Sequence, residues 1–356
     1  MRKAKMDSRF RGNDGNMHMS SFDLELPRAY GVPPLTATLR STPEDFRVEE
    51  ILGYEPDGEG EHAFLWVEKR EANTDWVARE LARFAGVSPM NVGYAGLKDR
   101  HAVTRQAFTV QLPGKADPDW HAFPHGEVKI LSSTRHKRKL KRGALRGNRF
   151  VLVLRDVQGD RSRAEAVLQA IASRGVPNYF GEQRFGREGG NVAQARAMFA
   201  GRRVDRDKRS ILLSAARSHI FNAVLAARVE RDAWDKPLEG EIWSLAGSRS
   251  WFGPEAFDDV LSARLAQGDI HPSGPLWGQG DSPADSTAGE LERELAAVFG
   301  DLADGLVAAR MDQERRPLRL LPKGLHWHWP DDNTLELSFE LPAGAYATVV
   351  ARELIA

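Results

Sequence analysis

The chain has no cysteine among its 356 residues. That excludes disulfides and any zinc site built on thiolates, and it fits a reducing, cytoplasmic setting. Net charge is missing as well, because 50 Lys and Arg balance 50 Asp and Glu. Global charge therefore names no partner, and a nucleic-acid site has to come from local clustering. No run approaches the roughly 20 apolar residues of a membrane helix, so no membrane partner is expected. Phosphate-loop chemistry is not signalled, since Pro113-Gly114-Lys115-Ala116 lacks the first glycine and the Ser/Thr. No Gly-x-Ser-x-Gly elbow suggests a serine hydrolase. His326 and His328 share one strand face without a third ligand, so no metal is expected.

What remains is a chain long enough for two domains at about 150 residues each. Residues 1–21 are polar and aperiodic and are expected to form a disordered extension, with Met17 and Met19 as alternative starts. Thr36 to Leu52 reads as strand, turn at Thr42-Pro43-Glu44-Asp45, then strand; Ala63 to Lys69 is a further strand. Asn73-Thr74-Asp75 caps a helix whose apolar face is Trp76, Val77, Leu81 and Phe84, and Gly86 stops it. Val103 to Val110, a short Val128–Leu131 and Phe150–Leu154 read as strands, and Arg163 to Arg174 as an amphipathic helix.

Composition shifts at Val176–Asn191, which is rich in glycine and aromatics. Gly186–Asn191 within it is a weak anion-nest pattern and reads as a turn between domains. From Val192 to about Arg316 the pattern is mostly helical, with helices at Val192–Ala200, Ser210–Arg231, Pro254–Gln267 and Glu290–Phe299 and a loop at Ser273–Ser286. Strands are expected again at Leu318–Leu321, Leu325–Trp329, Leu335–Glu340 and Tyr346–Val350. These are too few and short to stand alone and would complete the N-terminal sheet. The layout is thus an α+β catalytic domain in two pieces, 22–175 and 321–356, interrupted by a helix-rich insertion at 176–320.

Two stretches carry candidate chemistry. Asn91 to Val110 places Gly96-Leu97-Lys98-Asp99-Arg100 at a corner between strand-like runs, a position where reactive groups are often presented. Gly93 and Gly96 let the backbone bend around Tyr94. The plain alternative is a surface aspartate paired with Lys98 or Arg100. Arg135 to Arg149 holds eight Lys/Arg and no acid, with Gly143 and Gly147 allowing close approach to a phosphate backbone. Arg138, Lys139 and Lys141 at its centre are the expected RNA-backbone contacts. Arg202–Arg209 in the insertion is the second place for such a footprint. Phe150, Tyr179, Phe180 and Phe185, near the basic run, are core or stacking residues.

Five motifs in order, GYAGLKDRHAVTRQ, RHKRKLKRGALRGNRF, GVPNYFGEQRFGREGGN, SAARSHIFN and LPAGAYATVVARELI, together resemble the tRNA pseudouridine synthase D (TruD) family from about Leu35 to the C-terminus. The resemblance implies a pseudouridine-synthase catalytic domain with a mixed or antiparallel sheet, a helical insertion domain, and RNA in the cleft between. It implies isomerisation of uridine to pseudouridine, usually at position 13 of tRNA, with no cofactor, in a cytoplasmic monomer. The family's nucleophilic aspartate falls on Asp99, and a carboxylate suits this chemistry as nucleophile or base. Its substrate-contacting positions fall on Phe46, Asn148 and Phe339, with Phe150 as the aromatic stacked on the base. Arg40 stands where the family often has a lysine paired with the aspartate. A base in folded tRNA has to be flipped out to reach such a pocket. An inactive RNA-binding protein of the same fold and a metal-dependent RNA hydrolase are the competing readings.

Overall fold

The computed structural model describes residues 26–356. The expected N-terminal extension and the alternative starts lie outside them.

Alternating strands open the chain. They are β1 (Leu35–Leu39), β2 (Phe46–Ile51) and β3 (His62–Arg70), followed by helix α1 (Thr74–Phe84) and strands β4 (Val92–Tyr94), β5 (Val103–Gln111), β6 (Val128–His136) and β7 (Gly147–Gly159). Helix α2 (Arg161–Arg174) and the short β8 (Val176–Pro177) follow. Next come α3 (Gly190–Phe199), α4 (Arg206–Glu230), β9 (Trp243–Leu245), β10 (Trp251–Phe252), α5 (Asp259–Gln267), β11 (Ile270–Leu276), α6 (Ser286–Val298), α7 (Gly300–Ala308) and β12 (Glu314–Pro317). The chain ends with β13 (Arg319–Leu320), β14 (Lys323–Asp331), β15 (Thr334–Pro342) and α8 (Thr348–Ala351).

The principal sheet runs β14-β15-β7-β2-β5-β3-β6, with β1 on β7 and β4 on β5. Only β2 against β5 is parallel. β14 and β15 join the N-terminal strands as expected, though each is nine residues long: β15 pairs β7 from Leu335↔Leu154 to Pro342↔Gly147, whereas the expected strand at Leu318–Leu321 does not join them, because β13 pairs β8 in a separate two-stranded sheet. Three further expectations are corrected. Tyr346–Val350 forms no strand; its chain turns into α8. Ser273–Leu276 is not loop but part of β11, buried between β9 and β12 in a four-stranded sheet that the helical pattern of this region hid. And β6 extends to His136, well past Leu131, because it pairs along the whole of β3.

Helix α4 also departs from expectation, being long and apolar enough to cross a membrane by length and composition. Its apolar stretch is 78% buried inside the protein, and Leu212, Ile220, Phe221 and Leu225 sit in the largest hydrophobic cluster, so it is a core helix.

Register decides what the sheet buries. Phe46, Val48 and Glu50 share a face with Asn148, Phe150 and Leu152 of β7, with Leu337, Phe339 and Leu341 of β15, and with Thr104, Gln106 and Phe108 of β5. One end of this face is covered by α1, whose Val77 and Leu81 pack with Leu65, Phe108 and Val110. The other end is covered by α2, whose Val167, Leu168 and Ile171 belong with Leu152, Leu335 and Leu337 to a second cluster. A polar band, Lys69, Thr104, Gln106, Glu50 and Asn148, lies between the two apolar ends.

The opposite face is open and charged. A groove of about 450 Å³ is lined there by Arg47, Glu49, Glu68, Arg105 and Arg149 among others. Its charges neutralise one another: Arg105 pairs with Glu68 at 2.8 Å and Arg149 with Glu340 at 2.7 Å.

Candidate active site

Asp99 sits in the turn between β4 and β5, over the polar band. Its partner is neither Lys98 nor Arg100. Arg40, 59 residues earlier, donates from Nη2 to Asp99 Oδ2 at 3.0 Å. Lys98 turns the other way and pairs with Glu50 at 2.8 Å, both side chains nearly inaccessible. Glu50 also accepts the amide of Ala107 at 3.0 Å. Arg100 reaches the Glu71 carbonyl. No donor among the described residues reaches Asp99 Oδ1, and the side chain stays about one-third exposed.

The turn is pinned at three successive points. Gln106 Nε2 donates to the Gly96 carbonyl at 3.1 Å. Thr74 Oγ1 accepts the Lys98 amide at 3.1 Å and itself donates to Gln106 Oε1 at 3.0 Å. Lys69 Nζ donates to the carbonyls of Ala72 at 2.6 Å and Asp99 at 3.0 Å. Lys69 is wholly buried, and burial pulls its ammonium from 10.5 down to about 8, against the pull of the Asp99 carboxylate. Gly96 has ordinary space around it. Gly93 does not: a Cβ there would lie 2.5 Å from the Leu140 carbonyl, so the need is close packing against the basic run.

Arg40 is held with equal care. Its φ of 65° lies in the left-handed region that non-glycine residues rarely adopt. The following turn is locked by buried Asp45, which accepts the Thr42 amide at 3.0 Å and Arg155 Nη2 at 2.7 Å. The Arg40 guanidinium lies over the Phe46 ring at 4.0 Å.

Phe46, Phe150 and Phe339 come together on the sheet face. Phe150 meets Phe46 edge-on at 6.3 Å and stacks on Phe339 at 5.8 Å. They expose 2%, 6% and 1% of their surface, so most of each ring is spent on the other two and on the core. Asn148, at the level of Glu50, is buried with its Oδ1 unpartnered. A buried acceptor without a protein partner is unusual and wants one. Tyr179, Phe180 and Phe185 are core residues.

The basic run is largely self-neutralised. Arg135, Lys137, Arg142 and Arg149 pair with Asp117, Glu59, Asp75 and Glu340. Lys139 donates to the Met90 carbonyl. Arg138, Lys141 and Arg146 remain exposed, without acidic partners among the described residues. Gly147 is packed 2.4 Å (Cβ position) from the Leu341 carbonyl inside the sheet and offers nothing to a phosphate, contrary to expectation. His326 and His328 stand side by side on β14, ring centroids 6.4 Å apart, and no group of three metal-ligating side chains occurs among the described residues.

Lys69, Glu50, Gln106 and Thr74 escaped sequence reasoning. Their signal was available: Lys69 follows Ala63, Leu65 and Val67 at strand period two, and Glu50 follows Phe46 and Val48. A charged residue in an inward register marks a buried polar site.

The family model for tRNA pseudouridine synthase D (TruD) matches residues 28–194 and 192–354. A tRNA pseudouridine synthase D of Xanthomonas oryzae is 54% identical over 346 residues, covering 92% of this chain and 94% of that protein. One from Methylococcus capsulatus is 50% identical over 343 residues, covering 96% and 97%. A Methanosarcina mazei crystal structure described as a TruD superposes with a TM-score of 0.69 at 21% identity, over 91% of this chain and 94% of that one, which speaks to the fold. The chain belongs to the tRNA pseudouridine synthase D (TruD) family.

Proposed function

We propose that this protein isomerises uridine to pseudouridine in tRNA, at uridine 13, with Asp99 acting on a flipped-out nucleotide. The observation that carries the reading is the Asp99 turn: a carboxylate with one oxygen oriented by Arg40 and the other free, on a backbone pinned at residues 96, 98 and 99. Such a group is preorganised, so little has to move at the reacting centre. The reaction breaks N1–C1′, turns the uracil and joins C5 to C1′. The proton leaves C5, and N1 is protonated. A carboxylate supports this either by adding at the sugar and leaving again or by abstracting a proton, and Asp99 is placed for both.

The residues around it take supporting parts. Asn148 Oδ1, buried and without a protein partner, is the acceptor for a donor on the uracil edge once the nucleotide is bound. Phe150, the most accessible of the three rings, offers its edge to the base, and Phe46 and Phe339 support it. The 176–320 insertion forms the opposite wall, reached through Arg184, which donates to Ser214 of α4 at 2.8 Å and to the Tyr346 hydroxyl at 3.1 Å. Arg138, Lys141 and Arg146 are the exposed cations of the basic run left for RNA phosphates.

Tritium release from tRNA labelled at uridine C5 tests the reading directly. The wild-type protein is expected to release it, without added metal and in the presence of chelator. Asp99→Asn keeps the size of the side chain and removes its charge; it is expected to abolish release with tRNA affinity held within a few-fold. Wild-type turnover by the purified Asn variant would remove Asp99 from its role.

A further inference from the structure

On the catalytic sheet many cations are consumed by carboxylates, including four of the eight in the basic run. The insertion differs. Between α3 and the first turn of α4, five cations stand within eight residues: Arg202, Arg203, Arg206, Lys208 and Arg209. All five are exposed. None makes an ion pair or a side-chain hydrogen bond with any described residue. Only Asp205 and Asp207 lie among them, leaving an excess of three positive charges (five minus two). The Asp205 carboxylate is occupied, accepting the Lys208 amide at 2.8 Å as the helix cap. Three of the cations also lie in the first turn of a 25-residue helix, against the positive end of its dipole. Nothing within the fold offsets this arrangement, and a polyanion would.

Arg202, Arg203, Asp205 and Lys208 border a hollow of about 240 Å³. A chain of contacts within the fold links it to the Asp99 site. Asn148 adjoins Gly147, whose strand partner is Pro342. Four residues later Tyr346 meets Arg184, and Arg184 meets Ser214. From Ser214 the axis of α4 carries back to Lys208 in six residues, about 9 Å at the helical rise. The cations are spread along chain and helix with no buried donor to enclose one ion, so the fit is to a linear phosphate backbone.

We infer that the RNA backbone leaving the Asp99 cleft is bound by Arg202, Arg203 and Lys208 at the start of α4. The inference rests on the tRNA reading above and adds a footprint outside the basic run.

The test measures binding of a tRNA transcript whose target uridine is replaced by cytidine, so that no chemistry is needed. Affinity is followed from about 50 to 200 mM salt, where each phosphate contact contributes about 0.7–0.9 to the slope of log affinity on log salt. R202A/R203A/K208A is expected to lower that slope by about 2–3 units. R202K/R203K keeps the charge and is expected to keep the wild-type slope. A wild-type slope in the triple alanine variant overturns the inference, and so does a slope that falls only in R138A/K141A. Absence of pseudouridine formation by the wild-type protein would instead count against the proposed reaction, independently of the slopes.

Discussion

Replacing Lys69 by methionine separates stability from function in this fold. The side chain is fully buried with no carboxylate in hydrogen-bond reach; its ammonium touches only the carbonyls of Ala72 and Asp99. Burial holds its pKa at about 8, against 10.5 normally. Between these values the unfolded chain binds one proton more than the folded one, so stability rises with pH through that window. A pKa of about 8 in place of 10.5 corresponds to a cost of about 3–4 kcal/mol for keeping the buried ammonium charged at pH 7. Methionine has nearly the same length and removes this cost, but leaves two carbonyls without a donor, at about 1–3 kcal/mol each. The two effects come close to cancelling at pH 7, so one stability measurement decides nothing. The pH dependence decides. In urea unfolding followed from pH 7 to 10, the wild-type protein is expected to gain about 2–3 kcal/mol relative to Lys69→Met. Parallel curves would refute the lowering of the Lys69 pKa by burial. Turnover at saturating tRNA is expected to fall on the order of 10²-fold in the variant, because the Asp99 carbonyl loses its anchor and small misplacements are costly, with KM near that of the wild type. Turnover unchanged in a folded Lys69→Met protein would refute the positioning role.

Asn148→Ala removes a buried acceptor that no protein group satisfies; stability is expected to hold or rise while turnover falls, and a loss of stability with intact turnover would make Asn148 structural. Phe150→Ala is expected to cost about 3–5 kcal/mol because its ring is packed between Phe46 and Phe339. Phe150→Leu is the better probe: stability should stay within about 1.5 kcal/mol, while loss of base stacking, worth roughly 1–3 kcal/mol, slows turnover at least several-fold. His219 and His271 are buried, and burial lowers both to about 4. The unfolded chain therefore binds more protons from about pH 6.5 down to 4, and stability falls on acidification through that range. His271 accepts from Arg319 Nε at 3.2 Å; His271→Gln can keep that bond and should remove about half of the acid sensitivity in urea midpoints, whereas an undiminished pH slope would place the titration elsewhere.

Local pattern was enough to place most elements and the Asp99 corner, because strand alternation, caps and turn residues act within a few positions. The motif GLKD singled out the aspartate, and of the four late strands expected to join the first ones two do so, as β14 and β15. Register then explains the polar band, since period two places Lys69 and Glu50 inward beside Leu65 and Val48. Long-range partnership lay beyond local reasoning. The family resemblance, not any local pattern, pointed to Arg40 as the partner of Asp99; that Lys98 answers to Glu50 follows only from how β1, β2 and β5 are brought together. β11 was hidden because strands paired inside a helical segment are stabilised by partners, here β9 and β12, rather than by their own pattern. The basic run shows the same limit. Eight cations in fifteen residues describe charge, but availability depends on which carboxylates the fold sets beside them, and only the tertiary structure occupies four of those cations while leaving the five at the start of α4 without partners.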